Sequence, residues 1–466
     1  MLEKKDFLEN ANTIIQWIQD YYNNLSKFPV KSSSAPKEIY DQIPSSPPIH
    51  GEDLADIMTD LNKIILPGIT HWQHPNFHAY FPANSSVESV LAEFITAALG
   101  AQCMIWETSP AAAELEERMM EWIRESIGLP TSFEGVIQDT ASTATLVAIL
   151  TAREIKTNFT SNEEGVPNNL RIYASKDIHS SIDKAVGISG IGKKNLMKID
   201  VDKQRAMRAD LLQNQIELDI ENGKIPTCVI IAIGTTGTVA VDPLKEIAAI
   251  CKKYDIWLHV DAAYAGTALL LPEYRWMSEG IEDADSFVFN PHKWMFTNFD
   301  CTAYYIKDTL SLIKTLEVLP EYLKTNTRGM VNDYRDWGVP LGRRFRALKL
   351  WFVIRSYGLG GLREKLRKHI QLNTYFAEEI ADWGTIEIMQ DPILNFTCFR
   401  YIEAGLDLKA TNLKNKEILD EINNQGKVFL SHTKMNDAYI IRIVIGQTYV
   451  EQEDVDKVLK ILKAYA

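Results

Sequence analysis

Two rhythms of apolar and polar residues run through this chain. Residues 228–233, 256–260 and 287–289 are continuous apolar runs of strand length, as strands covered on both faces of a parallel sheet require. Elsewhere apolar residues recur at helical spacing. The clearest helix follows Ser109 as N-cap, with Pro110 at its first position, Leu115, Met119, Trp122 and Ile123 on one face and Gly128 to stop it. Another amphipathic helix is predicted from Lys4 to about Tyr22, with Phe7, Ile14, Ile15, Ile18 and Tyr22 roughly on one face. Residues 32–36 and 44–48 are rich in serine and proline and break the chain into loops, so this amino-terminal part is too short to bury itself and is expected to pack on another subunit.

From about Ser86 to Trp351 helical and strand-like patterns alternate, which implies an α/β domain with a mostly parallel sheet and helices on both faces. From Phe352 onward the order is helix, strand, helix, with 440–445 the clearest strand. At 466 residues the chain exceeds what one core usually holds. Three regions are expected: 1–85, 86–351 and 352–466.

Chemistry gathers at the ends of the predicted strands. Asn290-Pro291-His292-Lys293-Trp294 follows the 287–289 run, and the proline ends the ladder, leaving His292 and Lys293 on a strand-end turn. A lysine in partly apolar surroundings loses hydration of its charged form, so its pKa falls and its amine becomes a usable nucleophile. The alternative is a surface lysine whose stem packs on Trp294. Asp261 falls at the carboxyl end of 256–260, where open α/β sheets make their ligand contacts, and Ala262, Ala263 and Gly266 leave room for something to approach the backbone. Its cationic partner is either Lys293, in a structural ion pair, or the ring nitrogen of a pyridine cofactor; pyridoxal phosphate uses both residue types. Residues 135–138 read as a strand leading into Asp139-Thr140-Ala141-Ser142-Thr143-Ala144-Thr145-Leu146, a helix start rich in hydroxyls. Such a helix N-terminus suits a phosphate, or Thr140 or Ser142 simply caps it. Asp139 is compatible with a phosphate only if it points away.

With these segments in view, the chain resembles the pyridoxal-phosphate group II decarboxylases, and most closely the aromatic-L-amino-acid decarboxylases. The resemblance runs from Trp72 to about Gln371. It rests on His74-Pro75 and His78-Ala79-Tyr80-Phe81-Pro82, on Thr108-Ser109-Pro110 with Glu114-Leu115-Glu116, and on Thr140-Ala141-Ser142 with Ala144-Thr145-Leu146. It continues through His179-Ser180-Ser181, Gly234-Thr235-Thr236-Gly237-Thr238, His259-Val260-Asp261-Ala262-Ala263-Tyr264, the Lys293 segment and Pro340-Leu341-Gly342-Arg343-Arg344-Phe345. So many motifs in one order are highly specific.

The resemblance implies a type I pyridoxal-phosphate-dependent (aspartate aminotransferase-like) fold with a small carboxy-terminal α+β domain. It also implies a homodimer with its active site at the interface, clasped by the amino-terminal segment. Lys293 would attach the cofactor, Asp261 would keep its ring nitrogen protonated and His179 would stack on the ring, the alternative for His179 being a loop histidine bonded to its own turn. Ala141, Ser142, Thr236, Asn290 and His292 would lie at the phosphate, with Ala263 a further contact. Tyr322, at the base of a polar loop, would return a proton to the substrate. Trp72, Tyr80, Pro82, Ala83, Gln102, Met104 and Gly342 would face the substrate. Ala83 lacks the hydroxyl that the animal enzymes carry there, and Met104 replaces an aromatic. Gly342 stands where tyrosine-type enzymes carry serine and opens space for a bulky ring. Asp242, after the Gly-Thr-Thr-Gly-Thr turn, is a candidate N-cap for the next helix.

The expected reaction is decarboxylation of an aromatic L-amino acid (tryptophan, tyrosine, phenylalanine or a hydroxylated analogue) to the amine and carbon dioxide, a step of amine biosynthesis. A decarboxylase of a non-aromatic amino acid is one alternative. Another is an aldehyde synthase, which typically replaces the loop tyrosine by phenylalanine or the stacking histidine by asparagine; Tyr322 and His179 favour the amine. Against a cofactor-free scaffold stand Lys293 and Asp261.

Composition narrows the partners. A net charge of −13 without a dense basic run speaks against nucleic acid. The five cysteines are scattered and form no close pair, which suggests free thiols in a reducing compartment and no zinc site or other metal. Residues 1–20 lack a continuous apolar core and no stretch is long and apolar enough for a bilayer, so a cytoplasmic enzyme with a small-molecule substrate and no membrane is expected.

Overall fold

The computed structural model describes residues 6–318 and 329–466. Tyr322 lies outside the described residues. Contacts divide the chain into two compact units, one of Ala83–Lys368 and one joining the residues up to Pro82 with His369–Ala466.

The larger unit is built on a seven-stranded sheet in the order β1-β7-β6-β5-β4-β2-β3. Its strands are β1 (Glu134–Gln138), β2 (Leu170–Ser175), β3 (Leu196–Ile199), β4 (Ile225–Ala232), β5 (Trp257–Asp261), β6 (Ser286–Phe289) and β7 (Thr302–Ile306). All run parallel except β7, which lies antiparallel between β1 and β6. The apolar runs of the sequence are the central strands: β5 and β6 are buried along their whole length, and β4 is buried beyond its first residue. One core joins Val136, Ile172, Ile230, Val288 and Tyr304 of the sheet to Ala144, Val147 and Ala148 of the helix Ala141–Lys156. Each buried Val or Ile among them contributes about 1.5–3 kcal/mol, so this layer holds the strand ends in place.

The smaller unit carries an antiparallel sheet in the order β10-β11-β9-β8, made of β8 (Ile386–Ile388), β9 (Phe396–Tyr401), β10 (Ser431–Met435) and β11 (Ala438–Val444). The amino-terminal segment belongs to this unit. Val30 N–H donates to the Gly426 carbonyl at 2.8 Å, His78 N–H to the Phe429 carbonyl at 2.9 Å and Val444 N–H to the His78 carbonyl at 3.0 Å. The division therefore differs from three regions bounded at 85/86 and 351/352, because pairing across hundreds of residues leaves no mark in local pattern.

Local expectations changed in four places. Ser109 precedes the helix Pro110–Ile127, yet its side chain caps nothing; Gly128, at φ 78°, does end the helix. Met119 and Ile123 are buried, but Trp122 is 37% exposed. Asp242 does not cap the helix after it: its carboxylate accepts from Met207 N–H at 2.7 Å and Ala232 N–H at 2.8 Å, and burial pushes its pKa up to about 7. Gly266 does not leave room for a ligand. A Cβ there would sit 2.4 Å from the Cβ of Phe289 and 3.1 Å from that of Ala262, so the glycine lets β6 pack against the turn after β5.

That last contact is testable. Gly266→Ala should lower unfolding stability by about 1–3 kcal/mol, the usual cost of overpacking a filled core. A urea denaturation midpoint equal to that of the parent would show that the turn gives way freely.

Candidate active site

Every parallel strand that borders the site ends in a candidate residue. β5 ends on Asp261, and β6 continues into Asn290 and the single helical turn Pro291–Trp294 that carries Lys293. Beyond β4 lies Thr236, beyond β2 His179, and beyond β1 the start of the helix Ala141–Lys156. Ligands gather at this carboxyl edge because adjacent crossover loops diverge there and helix N-termini point into the gap.

A run of hydrogen bonds fixes these ends to one another. Ala263 N–H donates to Asp261 Oδ1 at 3.0 Å, Asn290 N–H to the Ala263 carbonyl at 3.0 Å, and Lys293 N–H to the Asn290 carbonyl at 2.9 Å. Thr302 Oγ1 donates to Asn290 Oδ1 at 2.7 Å and lies 3.1 Å from the Asp139 carbonyl, just before the helix start. With its oxygen so engaged, the Asn290 amide has its NH2 end left to offer an anion. His292 accepts Cys301 N–H on Nδ1 at 3.0 Å, so its proton sits on Nε2, and burial pushes its pKa down to about 3. It is a neutral donor.

Where a phosphate is expected, Thr140 is the N-cap, accepting Thr143 N–H at 3.4 Å. Ala141 and Ser142 supply first-turn N–H groups, which a helix cannot satisfy internally. Asp139 turns back on its own loop and accepts Thr140 N–H at 2.6 Å.

Charge is concentrated on three side chains. Asp261 is 9% exposed, and burial raises its pKa against the pull of Ala263 N–H, Lys293 and His179. Burial lowers the Lys293 amine, opposed by the Asp261 carboxylate. Desolvation also lowers His179, whose ring is exposed at the surface yet feels both Asp261 and Lys293. His179 Nδ1 takes Ser181 N–H at 3.2 Å and lies 2.7 Å from Ser181 Oγ, while Arg205 grips Asp177 of the same loop at 2.6 and 2.7 Å. The histidine is thus bonded to its own turn and within electrostatic reach of the pair.

Among residues expected at the substrate, Gln102 and Gly342 are brought together. Gln102 Oε1 accepts Arg343 N–H at 2.7 Å, and a Cβ on Gly342 would lie 3.2 Å from Gln102 Nε2. Both are exposed, Met104 and Ala83 are partly buried, and the Met104 carbonyl accepts Arg335 N–H at 2.8 Å. Trp72, Tyr80 and Pro82 belong to the smaller unit, where the Trp72 ring lies 4.4 Å from Phe77 and 5.9 Å from Tyr80. Thr236 is exposed on its loop.

The pyridoxal-dependent decarboxylase conserved domain matches residues 36–402. The chain belongs to this family. It is 39% identical to tyrosine decarboxylase 2 of Narcissus pseudonarcissus, covering 100% of this chain and 95% of the relative. It is equally 39% identical to phenylacetaldehyde synthase of Arabidopsis thaliana, covering 100% and 96%. The crystal structure of Oryza sativa TDC with PLP and tryptamine superposes with a TM-score of 0.97 at 32% identity, over 100% of this chain and 98% of that one. The protein is therefore a pyridoxal-phosphate-dependent carboxy-lyase of the type I fold.

The residues present fit that cofactor. A buried carboxylate suits a protonated ring nitrogen, a desolvated amine suits an aldehyde, and a capped helix start with two neutral donors beside it suits a phosphate. Among the described residues no group of His, Cys, Asp and Glu is arranged to hold a metal, and no helix is long and apolar enough to cross a membrane.

The sequence motifs contain Arg343 and Glu116 but gave neither a role in supporting this edge. Arg343 Nη2 donates to Glu116 Oε1 at 2.6 Å and to the Ile137 carbonyl at 2.8 Å, tying the Gln102–Gly342 wall to β1. Thr302 was missed, and His259 was quoted without a role. His259 was readable, being two residues before Asp261 and hence on the same strand face.

The amine of Lys293 gives a direct test. In the apoprotein, trinitrophenylation of Lys293 followed by peptide mapping should show a midpoint below the ~10.4 of a free lysine. Asp261→Asn should move it lower still, since the carboxylate is what holds the charged amine in place. An upward shift would contradict the pairing.

Proposed function

We propose that this protein decarboxylates an aromatic L-amino acid to the corresponding amine and carbon dioxide, as a cytoplasmic homodimer. The observation that carries the reading is the buried Asp261 carboxylate within electrostatic reach of the desolvated Lys293 amine at one sheet edge. Relatives named for tyrosine decarboxylation and phenylacetaldehyde synthesis, each 39% identical, support an aromatic substrate. For the homodimer, Val87, Leu91, Phe94, Ile95 and Leu99 form an apolar stripe on the helix Val87–Leu99 that is 39–61% exposed in the single chain. The helix Phe7–Asn24 likewise has no buried residue, as expected of a segment that clasps a second subunit. Five buried cysteines without a disulfide accord with a reducing compartment.

When bound, pyridoxal phosphate supplies an aldehyde that captures the substrate amino group and a ring that accepts the electrons released at Cα. Lys293 would hold the cofactor through its desolvated amine. Asp261, oriented by the Ala263 N–H, would face a protonated ring nitrogen, and His179 would lie against the ring. Ala141 and Ser142 N–H, with Asn290, His292 and Thr236, would hold the phosphate. Ala83, Gln102, Met104 and Gly342 line the side-chain pocket, where Met104 adapts to a flat ring. Tyr322 delivers the proton that Cα needs after carbon dioxide leaves.

Incubation with tryptophan, tyrosine, phenylalanine, L-DOPA and 5-hydroxytryptophan, with products read by mass spectrometry, should give amines without hydrogen peroxide. Equal aldehyde and peroxide from the parent protein would favour the aldehyde synthase instead. Tyr322→Phe should bind cofactor normally, yet yield aldehyde and hydrogen peroxide in air and neither under argon. Amine at the parental rate would remove Tyr322 from the proton step.

Gly342→Ser places a hydroxyl against Gln102 and narrows the pocket. Tryptophan-like substrates should lose about 1–3 kcal/mol of kcat/KM relative to tyrosine-like ones, the range for a small steric change. An equal loss for both would make the position structural only.

A further inference from the structure

His259 lies two residues before Asp261 on β5, so both side chains leave the same face of the strand. Its ring is fully buried and sits among three elements. Nδ1 is 2.9 Å from Ser286 Oγ, at the start of β6, and Nε2 is 3.1 Å from Thr145 Oγ1, in the second turn of the helix Ala141–Lys156. Ser286 faces His259 across the β5–β6 ladder and also accepts Trp257 Nε1–H at 3.0 Å. Burial keeps the imidazole neutral, with its pKa pushed down to about 3. A neutral ring has one donor and one acceptor, so it can satisfy both hydroxyls together.

Each joined element carries a different group of the proposed cofactor contacts. The helix begins with Ala141 and Ser142, β5 ends on Asp261, and β6 leads into Asn290, His292 and Lys293. We infer that His259 is a positioning residue that sets the spacing between the phosphate-holding helix start and Asp261, through its paired bonds to Thr145 and Ser286. Both its ring nitrogens are engaged by these hydroxyls, so it would act through them rather than on the cofactor. A buried polar bridge suits this role because its bonds have fixed lengths and leaving either hydroxyl unpaired is costly, whereas an apolar contact would let the helix slide. This role rests on the proposed cofactor site.

The phosphate makes the two ideas separable. Thr145→Val keeps the side-chain shape but removes the bond on the helix side. Affinity for pyridoxal 5′-phosphate, measured by absorbance titration of the apoprotein, should fall about tenfold, as expected for one lost buried hydrogen bond. Affinity for pyridoxal, which lacks the phosphate, should stay unchanged, and Thr145→Ser should restore parental binding. Equal losses for both ligands would reduce His259 to general core packing, and no loss for either would overturn the inference outright. Should Thr145→Val fail to fold, His259→Asn keeps a partner for Ser286, gives up Thr145 and is expected to show the same split. A parent protein that binds neither ligand at Lys293 would overturn the cofactor reading itself, and the positioning role with it.

Discussion

A carboxylate buried at the end of β5 has to be matched by positive charge, and the site is arranged around that requirement. Stripping water from Asp261 disfavours its ionised form, while Lys293, His179 and the Ala263 N–H favour it. The same loss of water lowers the lysine amine, so one patch of low polarity gives a carboxyl group with raised proton affinity and an amine more ready to lose its proton. Neither group would be useful alone. In water, Asp261 would hold no proton near it and Lys293 would stay charged at neutral pH.

Rigidity at this edge comes from the parallel sheet. β5 and β6 are buried along their length, and the hydrogen bonds from Asp261 through Ala263 and Asn290 to Lys293 pass from one strand end to the next. A side chain on such an end moves only if the core moves. Gln102 and Gly342 lie outside the strands and depend on Arg343, whose buried guanidinium is fastened to Glu116 at 2.6 Å and to the Ile137 carbonyl of β1 at 2.8 Å. A buried ion pair of this kind adds little net stability, but losing one partner leaves a bare charge, so it fixes geometry more than it stabilises the fold.

Much of this was legible in the sequence. Buried parallel strands are continuous apolar runs, so β4, β5 and β6 and the residues at their ends stand out from the hydrophobic pattern alone. What stayed hidden depended on packing across the chain. Gly266 looked like space for a ligand because no sequence pattern reveals that Phe289 fills it. Asp242 had the look of a helix cap, whereas its carboxylate serves two backbone N–H groups, of Met207 and Ala232, that its sequence neighbours do not announce. Trp122 fitted the periodic face of its helix but sits at the edge of the buried stripe. The amino-terminal segment pairs with residues some 350 positions away, as in the Phe77–Phe429 bridge, and helical periodicity carries no trace of that.

The central claim, that Lys293 is the amine the site exists to hold, has one direct measurement. Borohydride reduction of the cofactor-loaded protein, followed by peptide mapping, should leave a pyridoxyl group on Lys293 and on no other residue. A pyridoxyl group on another lysine, such as Lys176 or Lys184, would contradict it.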